Sequence, residues 1–340
     1  MTVTQPTIWV LKSFRAGDNA QALALAQRVG GTIFEKQMSF TGAGALPNIT
    51  TGVSIRTLTM EAGALLQPPW PDLVIATGRR TAPAAVWIKQ QSGGVTKIVQ
   101  LGRPRLPLTL FDLVVTTPQY GLPPGPNVLQ LPLPFVPARR AASTAIQDQW
   151  LHLPSPRIAA VIGGQKFPLR LGPAELSGFG AAVERLAHSL KAGVILLDSP
   201  RSPQGGLSMV ASQVLQPKWQ PVAETSSAYG AALAGADVFC VTSDSVSMVA
   251  EMVDTGRPVY IYQLPQSPWM PHWSADSGIA AWLARRGLLS PPRDTAGLMK
   301  GLIESGLTGD LATRRAPFAQ MQLAAQYDAA VLKVRSLLRR

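Results

Sequence analysis

Residues 236 to 264, ADVFCVTSDSVSMVAEMVDTGRPVYIYQL, constrain the fold more tightly than any other stretch of the chain. A β-branched apolar run leads into Ser243, Asp244 and Ser245, then a helical segment carrying Glu251, then Gly256, Pro258 and a second apolar run. That order predicts strand, short loop, helix and strand. All three loop residues are favoured helix caps, so the helix should begin there with unpaired N–H groups and the positive end of its dipole turned to the loop, a seat for an anion. Ser243, Ser245, Val246 and Ser247 are then candidate phosphate ligands, with Asp244 as the cap. Glu251, about two turns further in, is placed to meet ribose hydroxyls. The same serines also suit a purely structural cap, and Glu251 a solvated helix face. Gly256 suits the left-handed residue that ends a helix, and Pro258 blocks its continuation.

The same alternation recurs along the chain. Apolar strands are expected at 7–13, 32–37, 72–78, 97–102, 111–117 and 127–131, with helices at 19–29 and 83–91. After a proline-rich stretch it restarts, with strands at 157–164, 193–198, 236–242 and 258–264 and a helix at 175–191. Two α/β, Rossmann-like, doubly wound domains follow, each with a parallel sheet covered on both faces. The expected boundaries are 1–138 for the first domain, 139–156 for a linker and 157–308 for the second. Residues 309–340 read as a terminal helix that packs back on the first domain, striped by Leu323, Tyr327, Val331, Val334 and Leu338.

Composition removes several classes of function. With 46% hydrophobic and 15% charged residues the chain is expected to fold into packed domains, and no run is long enough for a membrane span or a signal-peptide core, which points to the cytoplasm. Cys240 is the single cysteine, so no intrachain disulfide can form, and the three histidines, His152, His188 and His272, lack metal spacing. No metal and no resident cofactor are expected. The net charge of +12 calls for anionic partners, yet the basic residues are scattered as pairs with no nucleic-acid reader motif. A diphosphate-bearing small molecule or an anionic membrane surface, at the periphery of the inner membrane, suits that scatter better than nucleic acid. The first turn, KSFRAGDN, has one glycine and cannot form the G-x-G-x-x-G loop of a nicotinamide enzyme, and no G-x-S-x-G elbow occurs.

AGDNAQALALA at 16–26, ATGRRTAPAA at 76–85, VQLGRPR with FDLVV at 99–115, VIGG at 161–164 and TSDSVSMVAEMVDTGRPVYI at 242–261 together resemble bacterial relatives of the plant mitochondrial fission, or "elongated mitochondria", family. The resemblance covers nearly the whole chain. It implies a two-domain fold of the GT-B type, with the domains facing a cleft, as in nucleotide-sugar glycosyltransferases and epimerases. ETSSAY at 224–229 departs from the Glu-Asn-Pro-Tyr pattern of relatives and keeps Tyr229.

On that frame the expected ligand is a nucleotide-diphosphate sugar, transferred to an envelope or other acceptor. A GT-B-type epimerase, or a non-catalytic interaction or membrane-surface protein that keeps the fold, are the alternatives. Asp18, after Gly17 at the end of the first strand, stands where glycosyltransferases of this fold place a general base, although with Gln21 it also reads as a capping box. Arg79 and Arg80 follow another strand and could grip a phosphate or carboxylate. In the second domain Gly163, Gly164 and Lys166, with Arg201 after the next strand, could bring N–H groups and positive charge to the pyrophosphate. Tyr229, Trp269 and His272 are candidate sugar contacts.

Overall fold

The computed structural model describes residues 5–137, 144–221, 225–267, 278–290, 292–319 and 323–339. Two compact units emerge: unit 1 comprises Met1–Pro137, Trp273–Asp294 and Leu323–Arg340, and unit 2 comprises Ala138–His272 and Thr295–Gln322. The chain thus returns to unit 1 twice, which differs from an uninterrupted 157–308 domain.

Unit 1 is built on a six-stranded parallel sheet in the order β2-β1-β3-β4-β5-β6. Its strands are β1 (Thr7–Lys12), β2 (Thr32–Gln37), β3 (Leu73–Thr77), β4 (Lys97–Leu101), β5 (Leu113–Thr116) and β6 (Val128–Gln130). The central strand LVIAT is buried at every position, as a strand covered on both faces must be, whereas the edge strand TIFEKQ is largely exposed. Helices α1 (Ala16–Val29), α2 (Asn48–Thr51), α3 (Met60–Ala64), α4 (Gly78–Gln91), α10 (Gly278–Arg285) and α12 (Leu323–Leu338) complete the unit. Helix α12 lies on α1, buries Leu323, Tyr327, Val331 and Val334, and donates from Arg335 to the carbonyls of Val29 and Arg28. The stripe read from the sequence is therefore its core face. The helix starts later than residue 309, because Gly309–Asp310 pairs with the strand Val259–Tyr262 and Asp310 makes an antiparallel backbone bridge with Arg315.

Unit 2 carries a second parallel sheet, ordered β12-β11-β10-β7-β8-β9. Its strands are β7 (Arg157–Ile162), β8 (Gly193–Asp198), β9 (Lys218–Trp219), β10 (Val238–Thr242), β11 (Val259–Tyr262) and β12 (Gly309–Asp310). The helices are α5 (Thr144–Gln147), α6 (Pro173–Leu190), α7 (Gly206–Gln213), α8 (Thr225–Gly235), α9 (Val246–Val253) and α11 (Thr295–Glu304). Phe179, Val183 and Leu186 of α6 pack on Ile158, Leu196 and Cys240 of the sheet. The two-residue strands β9 and β12 carry no readable period, which is why only their longer neighbours were expected.

Strand order reverses between β1 and β3 in unit 1 and between β7 and β10 in unit 2. Where neighbouring strands diverge into opposite crossovers, their C-terminal ends leave a crevice that their connecting loops line. Among the described residues no helix is long and apolar enough to cross a membrane.

Candidate functional site

In unit 2 the reversal juxtaposes the loop after β7 with the loop after β10. Helix α9 begins at Val246 with Ser245 as its cap residue, whose side chain makes no capping hydrogen bond. The two preceding residues are occupied elsewhere. Ser243 is tied to β11 twice, its N–H donating to the Tyr262 carbonyl at 3.0 Å and its Oγ accepting from the Leu264 N–H at 2.9 Å. Asp244 turns away from α9: Oδ2 accepts from the Gly164 N–H and Oδ1 from the Thr242 hydroxyl, each at 2.7 Å. It is therefore a strand-to-strand tie rather than the expected helix cap, and Ser243 is a tie to β11 rather than an exposed phosphate ligand. Burial is the main influence on the Asp244 carboxyl and raises its pKa, against the pull of Thr242, Gly164 and Arg201.

The diglycine at the end of β7 also differs from expectation. The Gly163 N–H donates to Thr242 Oγ1 at 2.8 Å, the Gly164 N–H is taken by Asp244, and the Gly163 carbonyl accepts from Ser202 Oγ at 2.6 Å. These backbone groups are spent inside the protein and are not available to a pyrophosphate. Glycine is required for close approach: a Cβ at Gly163 would overlap the Asp244 carboxylate, and one at Gly164 would overlap the Arg201 Cβ. Arg201 is exposed on this edge, and its N–H bonds Ser199 Oγ at 3.3 Å. Lys166 is half-buried in the same loop, where its carbonyl accepts from the Leu169 N–H.

Beyond that belt the first turn of α9 carries Ser245 and Ser247, whose hydroxyls lie 3.4 Å apart. Further along, Glu251 Oε2 accepts from the Tyr229 hydroxyl of α8 at 2.8 Å, joining two candidates from separate helices. Burial dominates both, raising the Glu251 carboxyl and raising the Tyr229 phenol well above its usual value. Trp269 and His272 lie outside the described residues.

In unit 1 the reversal brings the loop after β1 to the loop after β3. Asn19, in the first turn of α1, clamps the end of β1, its Oδ1 accepting from the Ser13 N–H at 2.8 Å and its Nδ2 donating to the Ser13 carbonyl at 2.7 Å. Gly17 and Asp18 lie within that turn, and the cap residue is Arg15, so the expected Asp18 capping box does not form. The Asp18 side chain is 24% exposed, with Oδ2 3.9 Å from Arg15 Nη1.

Arg79 is committed to scaffolding, its guanidinium donating to the Leu46 and Ala45 carbonyls at 2.8 and 3.0 Å, which corrects its reading as a phosphate ligand. Arg80 stacks over Phe14 at 4.9 Å and Phe40 at 5.8 Å. Sequence reasoning missed Asn48, whose Nδ2 donates to the Arg79 carbonyl at 2.7 Å and to the Pro104 carbonyl at 2.9 Å. Nothing in NITTG signals that bridge, which joins residues 56 positions apart. It also missed the concentration of arginines there: Arg103 is 8% exposed, and burial, then Arg105, lowers its pKa to about 10.

A family profile described as Mitochondrial fission ELM1 matches residues 16–294. An uncharacterised protein of Rickettsia prowazekii is 23% identical over 309 residues, spanning 78% of this chain and 85% of that protein. The mitochondrial fission protein ELM1 of Arabidopsis thaliana is 28% identical over 238 residues, 58% of this chain and 53% of the plant protein. Among solved structures, one described as a UDP-N-acetylglucosamine 2-epimerase from Listeria monocytogenes superposes with a TM-score of 0.53 at 11% identity, covering 99% of this chain and 98% of that one. A UDP-glucosyltransferase from Polygonum tinctorium superposes with a TM-score of 0.51 at 12% identity, covering 100% of each chain. At such identities the likeness is one of fold, two parallel-sheet units of the GT-B type.

Proposed function

Since the chain belongs to the mitochondrial fission ELM1 family and has a GT-B-type fold, we propose that it binds a nucleotide-diphosphate sugar at the C-terminal edge of the unit 2 sheet and transfers the sugar to an acceptor hydroxyl. The observation that carries this reading is the start of α9, where Ser245 leaves the helix end uncapped and Asp244, the one carboxylate in the TSDS turn, is drawn aside onto Gly164. A helix end with its carboxylate withdrawn favours phosphoryl oxygens through N–H groups and dipole together. Ser245 and Ser247 add hydroxyl donors, and Arg201 adds a guanidinium on the same edge. Glu251, steadied by Tyr229 at Oε2, offers Oε1 to the ribose.

On the acceptor side, Asp18 is the candidate base. Its partly exposed carboxylate at the C-terminal edge of the unit 1 sheet is a group that can take the proton of an acceptor hydroxyl. Nitrogen substitution, Asp18→Asn, is expected to lower turnover by about 10²- to 10⁴-fold with nucleotide affinity unchanged.

A thermal-denaturation panel with UDP, GDP, ADP and CMP and their sugars tests the reading. One nucleotide class should stabilise the protein by about 2.7 kcal/mol at about 100 times its dissociation constant. Ser247→Ala and Glu251→Ala should each reduce that gain. Absence of stabilisation by every nucleotide would refute the donor site.

A further inference from the structure

The arginines of unit 1 form a second constellation that the unit 2 reading leaves unused. Two successive parallel strands lead into arginine-bearing segments, β3 into Gly78-Arg79-Arg80 at the start of α4 and β4 into the loop Gly102-Arg103-Pro104-Arg105. Asn48, itself buried, fastens the two segments together through the Arg79 and Pro104 carbonyls. The turn after β5 joins them, because the Tyr120 ring packs against Gly102 so closely that a Cβ there would lie 3.0 Å from Cζ. Arg293 then stacks on the same ring, its Cζ 4.7 Å from the centroid. A Cβ on Gly121 would lie 4.0 Å from Arg103 Nη2, which places the buried guanidinium under that turn. Arg105 holds a left-handed φ of 55°, a conformation costly for a residue with a side chain and concentrated at functional sites.

Charge on this edge is strongly unbalanced. Burial, then the like charges of Arg105 and Arg293, lowers the pKa of Arg103, and burial, then Arg293, lowers that of Arg105. The same field extends to Arg79, whose pKa is lowered by burial and then by the like charges of Arg105, Arg80 and Arg15. The carboxylates beside this edge are Asp18, with Oδ2 3.9 Å from Arg15 Nη1, and Asp294, which follows Arg293 and whose N–H donates to the Gln119 carbonyl. Among the described residues no carboxylate forms an ion pair with Arg105 or Arg293. Gathering guanidinium groups at the C-terminal edge of a parallel sheet is unfavourable without an anion, and planar N–H forks match phosphoryl oxygens better than any other common anion except carboxylate.

We propose that this edge is a phosphoryl-binding site, with Arg103, Arg105 and Arg293 contacting the ligand and Asn48, Arg79 and Tyr120 holding their turns in place. Its chemistry is independent of the nucleotide seat in unit 2. The phosphoryl group can belong to a soluble metabolite or to a lipid head group, and the exposed Phe14, Leu46 and Ile49, which flank Arg80, Arg79 and Asn48 in sequence or by contact, give the second source an apolar surface to lie on.

Hydrogen exchange of the full chain, mapped by mass spectrometry, tests the site locally. Inorganic pyrophosphate is one probe and phosphatidylcholine vesicles containing phosphatidic acid are the other. At a free ligand concentration about ten times its dissociation constant, exchange in the 102–106 and 117–121 segments should slow about tenfold. The Arg105→Gln/Arg293→Gln double variant should lose that protection, and Arg103 is kept because its burial would turn a substitution into a folding test. Protection by pyrophosphate alone assigns a soluble phosphoryl ligand, and protection by the vesicles alone assigns a lipid head group. Protection by neither, or protection that survives the double variant, overturns the site. Protection confined to 243–249 also overturns it while leaving the unit 2 seat intact, so the two readings fail separately.

Discussion

Asp244→Ala tests the tie between β7 and β10 that shapes the loop edge of unit 2. The substitution removes two hydrogen bonds of 2.7 Å to a carboxylate and leaves the buried Gly164 N–H without a partner. Hydrogen bonds to a charged group contribute about 1.5–3 kcal/mol each, so their loss costs about 3–6 kcal/mol before the carboxylate's own burial is considered. That burial opposes them, as the raised pKa of Asp244 shows, and its relief leaves a net loss of about 2–4 kcal/mol. For a unit of this size the melting midpoint should fall by about 5–15 °C.

Asp244→Asn should cost only about 1 kcal/mol, because the amide oxygen still accepts from Gly164 and its nitrogen can donate to Thr242 Oγ1. The pH dependence has a definite sign. A carboxyl whose folded-state pKa lies above its unfolded value binds its proton more tightly when folded, so its contribution is full below about 3.9 and is lost as pH rises through the folded value. The stability gap between wild type and Asp244→Asn should therefore narrow from about pH 4 to pH 7, measured by urea denaturation at each pH. An alanine cost under about 1 kcal/mol, or a gap that widens with pH, would refute the tie and its electrostatics.

Tyr229→Phe should destabilise by about 1–3 kcal/mol by leaving a half-buried Glu251 carboxylate without its donor, and the Glu251 pKa should rise further because that hydrogen bond opposes the effect of burial. An NMR titration in which Glu251 is unmoved by the substitution would show that the pair does not form. The Cys240 thiol is fully buried in β10, and burial pushes its pKa far up, so too little thiolate is present to react. Thiol reagents should label it only as the protein unfolds. Rapid stoichiometric labelling of the native protein would show that the sheet is open at that strand.

The sequence by itself determined the element types and the two parallel sheets, because a strand buried on both faces must be apolar along its length. VFCVT, LVIAT and GVILLD satisfy that rule locally. It also located the loops at the strand ends, since Gly, Pro, Ser and Asp are chosen there by backbone conformation alone. The start of α9 was legible for the same reason. Only the tertiary structure decided what those loop residues do, because their partners lie far away along the chain. Asp244 meets Gly164 across 80 positions, Arg79 meets Leu46 across 33, and Asn48 meets Pro104 across 56. A serine or aspartate after a strand looks alike whether it faces a ligand or ties down a neighbouring strand. Likewise, arginine pairs that are scattered in the chain become one cationic edge when adjacent parallel strands end side by side. Periodicity is a property of a segment, whereas a hydrogen-bond partner and a field of charge are properties of the packed arrangement.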